Sequence, residues 1–91
     1  MSKDQTQLKK FLQAESVLTI ATGDACGSWS APVLYVADIS ADLFVLYFLS
    51  SAKSRHIHSL PADGAAAVSI YSDYDGNWQS IRGAQIHGNI M

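Results

Sequence analysis

Hydroxyl and basic side chains are concentrated directly behind the most apolar segment of the chain. Residues 43–49 are all apolar, and the next nine residues include Ser50, Ser51, Lys53, Ser54, Arg55, His56 and His58. If a helix begins at this point, its first turn has unpaired N–H groups and a partial positive charge, so additional cations there are unfavourable unless an anion binds. Serine hydroxyls, together with an arginine that can bind two oxygens at once, are donors suited to phosphate. The spacing therefore predicts a phosphate-type anion site at a strand-to-helix corner.

Other interpretations of these residues are weaker or less specific. The alternative for the corner is a solvated helix start that carries two bases. A metal site is not favoured, because His56 and His58 are two residues apart and would project in different directions on a helix. Cys26 lies in a predicted turn without a clear basic partner, which favours turn packing over a nucleophilic role. The chain has no GxGxxG, GxxxxGK[ST] or GxSxG pattern, so no motif supports a Rossmann fold, a P-loop or an α/β-hydrolase.

The composition favours one small domain that associates with itself. Of the 91 residues, 48% are hydrophobic and 15% are charged, and a domain of this size buries only about 60–65% of its unfolded surface. The formal net charge of -2 provides no broad basic face for nucleic acid or a membrane surface. A single cysteine fits a reducing compartment, and no run reaches the ~18 apolar residues of a membrane helix. We expect a cytoplasmic, oligomeric domain over residues 1–91.

Apolar periodicity predicts a mainly β chain with the order helix, three strands, short helix, two strands. Ser2 and Gln5 have the capping-box spacing ahead of an amphipathic N-terminal helix. Strands are predicted at residues 17–22, 28–38, 43–49, 65–72 and 78–91, with a short helix at 52–60. The segment 43–49 is apolar on both sides, which is typical of a central strand. Pro32 indicates an edge, a bulge or a place that needs no ladder hydrogen bond. Short connections favour antiparallel strands and therefore an all-β barrel with small helices.

Four segments in a fixed order carry a family resemblance: VLTIAT, SWSAPVLYVAD, LYFLSSAKSRHIHSL and WQSIRGAQIHGNI. The most specific part is a strand followed by Ser50 and then by the triplet Ser54, Arg55 and His56, and the second is the Arg-Gly pair near Trp78. Together these segments resemble the FMN-binding split-barrel proteins related to pyridoxamine 5'-phosphate oxidase. The likeness covers nearly the whole chain and is closer to small members of that family than to the true oxidase.

The resemblance implies an antiparallel split β-barrel with an N-terminal helix, a short helix after the third strand, and FMN bound between the subunits of a homodimer. By position, the phosphate and ribityl chain would be held by Ser50, Ser51, Lys53, Ser54, Arg55 and His56. Arg82 and Gln85 would lie near the flavin, and the backbone of Val33, Leu34 and Tyr35 would face its ring. Family members generally continue with another strand and a helix, so this chain is expected to lack that C-terminal part.

The implied function is a flavin-dependent oxidoreductase with an unidentified small-molecule substrate. No catalytic residue is assigned, because a flavin carries the redox chemistry itself and the protein needs only to position it. One alternative is a noncatalytic binding module for a flavin, a deazaflavin, haem or another phosphorylated ligand. Another is a structural or interaction protein whose corner binds nothing. No metal, nucleic-acid partner or membrane partner is expected.

Overall fold

The computed structural model describes residues 2–24, 27–41, 43–51, 53–54, 57 and 64–91. Within these ranges the chain forms one helix and five strands, with a 3₁₀ turn at Trp78–Ser80. The elements are α1 (Lys3–Ala14), β1 (Val17–Asp24), β2 (Gly27–Ile39), β3 (Phe44–Phe48), β4 (Ala65–Tyr71) and β5 (Gly83–Asn89). The predicted order of an N-terminal helix, three strands and then two further strands is confirmed.

The strands form one sheet in the order β3-β2-β1-β4-β5, which curls into a half-barrel. All four neighbouring pairs are antiparallel, as the short connections predicted. The prediction that residues 43–49 form the central strand was wrong, because β3 lies at one edge of the sheet and β1 lies in its middle. The segment is apolar on both sides for a different reason: one side packs against the core, while Tyr47 and Leu49 on the other side are 60% and 82% exposed.

The short helix predicted for residues 52–60 is not shown. Most of that segment lies outside the described residues. In the described part, the N–H groups of Ser54 and Ile57 donate to the carbonyls of Ser51 and Ser54 at 3.0 and 3.2 Å. Hydrogen bonds that span three residues are those of turns and 3₁₀ helices. The mainly β class with an N-terminal helix is confirmed, and the split barrel stays a prediction.

Helix α1 is held at both of its ends. The Ser2 hydroxyl accepts the N–H of Gln5 at 3.1 Å, and the Gln5 side chain accepts the N–H of Ser2 at 2.9 Å, which confirms the predicted capping box. At the other end Leu12 is fully buried, and its carbonyl accepts the Tyr35 hydroxyl at 2.5 Å. Carbonyls in the last turn of a helix lack an intrahelical partner, so this bond both caps α1 and attaches it to β2.

Side-chain alternation gives the sheet an inner face and an outer face. The inner face holds the buried core, which consists of Leu18, Ile20, Tyr35, Ile39, Ala66 and Ile70 together with Leu12 of α1. The outer face carries the strand residues that alternate with those of the inner face. Three of these, Val17, Leu34 and Tyr71, are 48%, 62% and 65% exposed. The described part of the chain therefore buries one apolar face of the sheet and leaves apolar side chains exposed on the other.

Strand β2 is bonded to two different neighbours, and the change from one to the other falls between Leu34 and Tyr35, close to Pro32. Residues 27–34 pair with β1, whereas residues 35–39 pair with β3. The N–H of Tyr35 donates to the carbonyl of Ser16 at 2.9 Å, and because antiparallel bonding alternates along a strand, the nitrogen of Pro32 faces away from β1. On that side β2 pairs with β3 only over residues 35–39, so no strand lies opposite Pro32. Pro32 thus occupies a place that needs no ladder hydrogen bond, one of the three predicted explanations.

The connection between β4 and β5 is ordered by local hydrogen bonds. The Asp75 carboxylate accepts the N–H of Asn77 at 2.8 Å and the hydroxyl of Ser80 at 2.7 Å. These bonds, with the backbone contact to Asn77 foremost, lower the pKa of Asp75.

At the opposite end of the β4–β5 pair, Gly64 has a φ of +72°, and a Cβ there would lie 2.5 Å from the Ile90 carbonyl. Glycine is required at this position because of both the backbone angle and the close approach.

We expect Tyr35→Phe to lower the free energy of unfolding by about 1–2 kcal/mol, because it leaves the Leu12 carbonyl without its donor. Burial, and to a smaller extent the charge of Glu15, raises the pKa of Tyr35 above its usual 10.0. The bond is therefore fully stabilising below about pH 10 and is lost as the pH rises through the folded-state pKa. Urea unfolding from pH 7 to 11 measures both effects. The same alkaline loss of stability in wild type and variant would contradict this assignment.

We expect Thr22→Val to raise the free energy of unfolding by about 1 kcal/mol, because it removes a buried polar group that lacks a partner. Thr22 lies on the inner face and is 6% exposed, and its hydroxyl has no hydrogen-bond partner in the described part of the chain. Thr22→Ser, which keeps the unpaired hydroxyl, is the control and should not raise the free energy of unfolding. Urea denaturation would measure both, and a destabilised Thr22→Val would mean that the hydroxyl is bonded.

Candidate functional site

The turn after β3 links the predicted serines into one hydrogen-bonded group beside Lys53. We call Ser50, Ser51, Lys53 and Ser54 the corner. The hydroxyl oxygens of Ser50 and Ser54 are 2.9 Å apart, and the Ser54 hydroxyl donates to the Ser51 carbonyl at 2.6 Å. The Ser50 hydroxyl also lies 3.4 Å from the Ser51 carbonyl, so either serine can donate in the Ser50–Ser54 contact. These bonds order the side chains of Ser50 and Ser54, two of the residues that were predicted to hold a phosphate.

Ser51 and Lys53 form the accessible side of the corner. The Ser51 hydroxyl oxygen accepts the N–H of Lys53 at 3.2 Å, and an oxygen that accepts in this way can still donate its own proton to a ligand. Both residues are exposed, whereas Ser50 and Ser54 are half-buried. Lysine ammonium groups and hydroxyl donors are chemically suited to phosphate oxygens, and both residue types are exposed in this turn. The described residues of the corner therefore fit an anionic group.

Two residues predicted to bind the phosphate, Arg55 and His56, lie outside the described residues. His58 and Cys26, for which a metal-binding and a nucleophilic role were not favoured, also lie outside the described residues. The assignment of Arg55 and His56 to the anion site stays a prediction. Of the residues predicted to hold the phosphate, the structure describes Ser50, Ser51, Lys53 and Ser54.

The corner lies beside the part of β2 that was predicted to face a flavin ring. The N–H of Leu49 donates to the carbonyl of Leu34 at 3.3 Å, which joins the end of β3 to β2 immediately before Ser50. Val33 is partly buried against the core, and Tyr35 is 6% exposed, whereas Leu34 is 62% exposed. Of these three side chains, that of Leu34 is therefore the one available to a ligand on the outer face.

Arg82 and Gln85 lie near the opposite edge of the sheet from the corner. Strands β1 and β4 separate β2 from β5, a distance of about 14 Å along the sheet at ~4.8 Å per strand. Arg82 is exposed immediately before β5, and Gln85 is exposed on the outer face of β5. Strand pairing within one chain therefore does not bring these two residues to the corner.

A recess on the outer face was missed by the sequence reasoning. It has a volume of about 370 Å³, and it is lined across β1, β4 and β5 by Thr19, Ala21, Ala67, Ser69, Gln85 and His87. Thr19, Ser69 and Gln85 stand opposite one another in the register, as do Ala21, Ala67 and His87. Small side chains on β1 and β4 form the floor, and the two longer side chains of β5 form a wall. Small residues at alternate positions of β1 and β4 were a signal, but only the register places them together.

A second cavity, of about 400 Å³, shares Thr19 with this recess. It lies between the end of α1 and the end of β4, and Glu15 and Asp73 are among its lining residues. Two carboxylates give this cavity the wrong sign of charge for an anion. It is therefore not an alternative location for the predicted phosphate.

The described residues provide neither a cluster of metal ligands nor a membrane-spanning helix. No group of three or more His, Cys, Asp and Glu side chains in this part of the chain could hold a metal ion. No helix among the same residues is long and apolar enough to cross a membrane.

Comparisons of the chain with models of protein families, with curated proteins and with solved structures found no match. What this protein does must therefore be inferred from its own residues and their geometry.

We expect Ser54→Ala to lower the free energy of unfolding by about 0.5–1.5 kcal/mol, because the Ser54 hydroxyl bonds both the Ser51 carbonyl and Ser50. Ser30→Ala, at an exposed outer-face position of β2, is a matched control that should change stability by less than about 0.5 kcal/mol. Chemical denaturation would measure both variants. Equal stability of Ser54→Ala and wild type would show that the linked serines do not hold the corner.

Proposed function

We propose that this chain is an FMN-binding protein of the split-barrel type that acts as a flavin-dependent oxidoreductase, as its resemblance to relatives of pyridoxamine 5'-phosphate oxidase implies. The observation that carries the proposal is the corner, where linked hydroxyls and Lys53 follow directly on Leu49, whose N–H is bonded to the carbonyl of Leu34. FMN has an anionic phosphate at one end and an apolar ring at the other. The corner and the outer face offer both kinds of surface close together.

The phosphate end of the ligand would be held from the accessible side of the corner. Ser51 can donate its hydroxyl proton, and Lys53 supplies the positive charge. Arg55 and His56, which follow immediately in the chain, are proposed to complete the set, with Arg55 binding two phosphate oxygens at once. The chain as a whole has a net charge of -2, so the attraction for an anion would be local to this turn.

The ring end would lie over β2. The N–H of Tyr35 and the carbonyl of Leu34 are bonded to neighbouring strands, and the Tyr35 side chain is bonded within the core. Contact with the flat face of a ring would therefore come chiefly from the Leu34 side chain and from the apolar surface next to it. This assignment refines the expectation that the backbone of Val33 to Tyr35 faces the ring.

The proposed protein is a homodimer with the cofactor between its subunits. Arg82 and Gln85 are separated from the corner by β1 and β4 within one chain. If both residues contribute to the flavin site, the partner subunit is the simplest source of them. The exposed apolar side chains of the outer face support association of this kind.

No residue of the chain is assigned a catalytic role. Bound FMN supplies the redox chemistry, so the protein's residues would hold the phosphate, position the ring and admit the small-molecule substrate. A cytoplasmic location, expected from the single cysteine, belongs to the same proposal.

A noncatalytic binding module for a flavin, a deazaflavin or haem is the second candidate. It is favoured by one observation: the serines of the corner bond one another, so the corner keeps its shape without taking part in any reaction. Reduction kinetics separate the two candidates. Bound flavin that is reduced by NADH or NADPH and then reoxidised by an acceptor supports the oxidoreductase, whereas flavin that is reduced by neither supports the binding module.

We expect the protein to bind FMN more tightly than riboflavin, which lacks the phosphate. Arg55→Ala should weaken FMN binding by roughly 1.5–3 kcal/mol, the size expected for hydrogen bonds to a charged group, and should leave riboflavin binding unchanged. Titrations followed by flavin absorbance and fluorescence measure all four affinities. Lys10→Ala, an exposed change on α1, is the control and should alter neither.

Two results would remove the flavin proposal. One is a wild-type protein that produces no spectral change with FMN. The other is equal affinity for FMN and riboflavin in both wild type and Arg55→Ala, which would mean that no phosphate is bound at the corner.

A further inference from the structure

The outer face of the sheet is almost free of charge. Asp38 is the one residue with a formal charge among the outward-facing strand positions that the structure describes. A sheet face in contact with water normally carries alternating polar residues opposite its hydrophobic face. The chain is also more open than a compact monomer: its radius of gyration is 14.1 Å, against about 12 Å expected for this length. The outer face does carry polar residues, among them Thr19, Ser30 and Ser69, but they are uncharged, and large exposed apolar side chains lie on the same face. Large exposed apolar patches mark interaction surfaces, which indicates that part of the outer face is covered in the functional protein.

Four protruding side chains on β2 and at the end of β3 form the apolar stripe of this face. They are Leu34, Val36, Tyr47 and Leu49, which are 62%, 70%, 60% and 82% exposed. Val36 stands opposite Tyr47 in the register, and Leu34 is bonded to Leu49, so the four are contiguous. Together they expose on the order of 500 Å², a large share of the ~800 Å² that each partner contributes to a stable interface.

The recess on β1, β4 and β5 lies on the same face and has room for protruding side chains. Its floor of small residues, which includes Ala21 and Ala67, can receive protruding aliphatic side chains at the packing density that stable interfaces share with protein interiors. Its polar side chains, Ser69, Gln85 and His87, offer partners to the Tyr47 hydroxyl, which needs one when it is buried. Packing stripe against stripe would instead leave both recesses empty.

We propose that two copies of this chain pair through their outer faces, with the apolar stripe of each copy seated in the recess of the other. A two-fold axis in the plane of the face, midway between stripe and recess, produces both contacts at once, as a symmetric dimer requires. The arrangement rests on the homodimer of the proposed function, but it does not depend on bound flavin. No like charges need to meet at its centre, because neither the stripe nor the recess contains a formally charged residue.

The arrangement also gives the corner a place at the interface. Ser50 directly follows Leu49, the last residue of the stripe, so a ligand at the corner would border both subunits. A chain of this size would thereby complete a ligand site with surface from its partner.

A charge exchange tests the pairing in flavin-free protein. Tyr47→Lys alters the stripe and Ala67→Glu alters the recess. Each change alone should raise the dimer dissociation constant by about 100-fold or more, because it buries a lone charge in an apolar contact. An equimolar mixture should form heterodimers with an affinity within about tenfold of wild type, since one contact then pairs Lys with Glu and the other is unaltered. Sedimentation equilibrium measures the masses, and circular dichroism confirms that each variant is folded.

Ile81→Lys is the matched control, because Ile81 is 60% exposed, as Tyr47 is, but lies in the connection before β5. It should dimerise as the wild type does. A wild type that is monomeric at about 100 µM, a concentration at which standard-size specific interfaces are formed, would overturn the proposal. So would a mixture that stays monomeric, or an Ala67→Glu variant that dimerises normally. A monomeric wild type would also remove the proposed position of the cofactor between subunits, whereas binding of the FMN phosphate at the corner is measured separately by the titrations above.

Discussion

The structure depends on the way that β2 divides its hydrogen bonds between two neighbours. Its first part pairs with β1 and its last part pairs with β3, so β2 joins the edge strand to the middle strand of the sheet. Pro32 is tolerated because its missing N–H falls on the side where no strand pairs. The bond from Leu49 to Leu34 then brings the chain leaving β3 to this same place. The position of the corner thus follows from backbone pairing in β2.

A second constraint is that this small sheet has apolar side chains on both faces and only the inner face is covered by the described chain. The inner face packs around Leu18, Ile20 and Ile70, and Leu12 of α1 closes it with a buried hydrogen bond from Tyr35. The outer face keeps its apolar stripe and its recess exposed. Burial of apolar area is the main favourable term in both folding and association. The same alternation of side chains that builds the core therefore also leaves apolar side chains exposed on the outer face.

The corner combines local and long-range order. Hydrogen bonds among Ser50, Ser51 and Ser54 are made within five residues of sequence, so they belong to the turn itself. What the turn faces is set by β2 and by the outer face. A phosphate site of this kind needs little from the rest of the fold except that Ser51 and Lys53 stay accessible, which they are. The ring and substrate side of a flavin site would depend far more on distant strands and on the partner.

Local pattern in the sequence determined the elements: the Ser2–Gln5 capping box, the hairpin of β1 and β2, and the alternation of Ala84, Gln85, Ile86 and His87 on β5. These features involve neighbouring residues, whose spacing is visible in one dimension. The tertiary structure alone decided that β3 is an edge strand, that Arg82 and Gln85 are strands away from the corner, and that small residues of β1 and β4 form a recess. Strand order and register arise from pairing between segments far apart in the chain. A segment that is apolar on both sides has the same sequence pattern whether its second side is covered by its own chain or by another one.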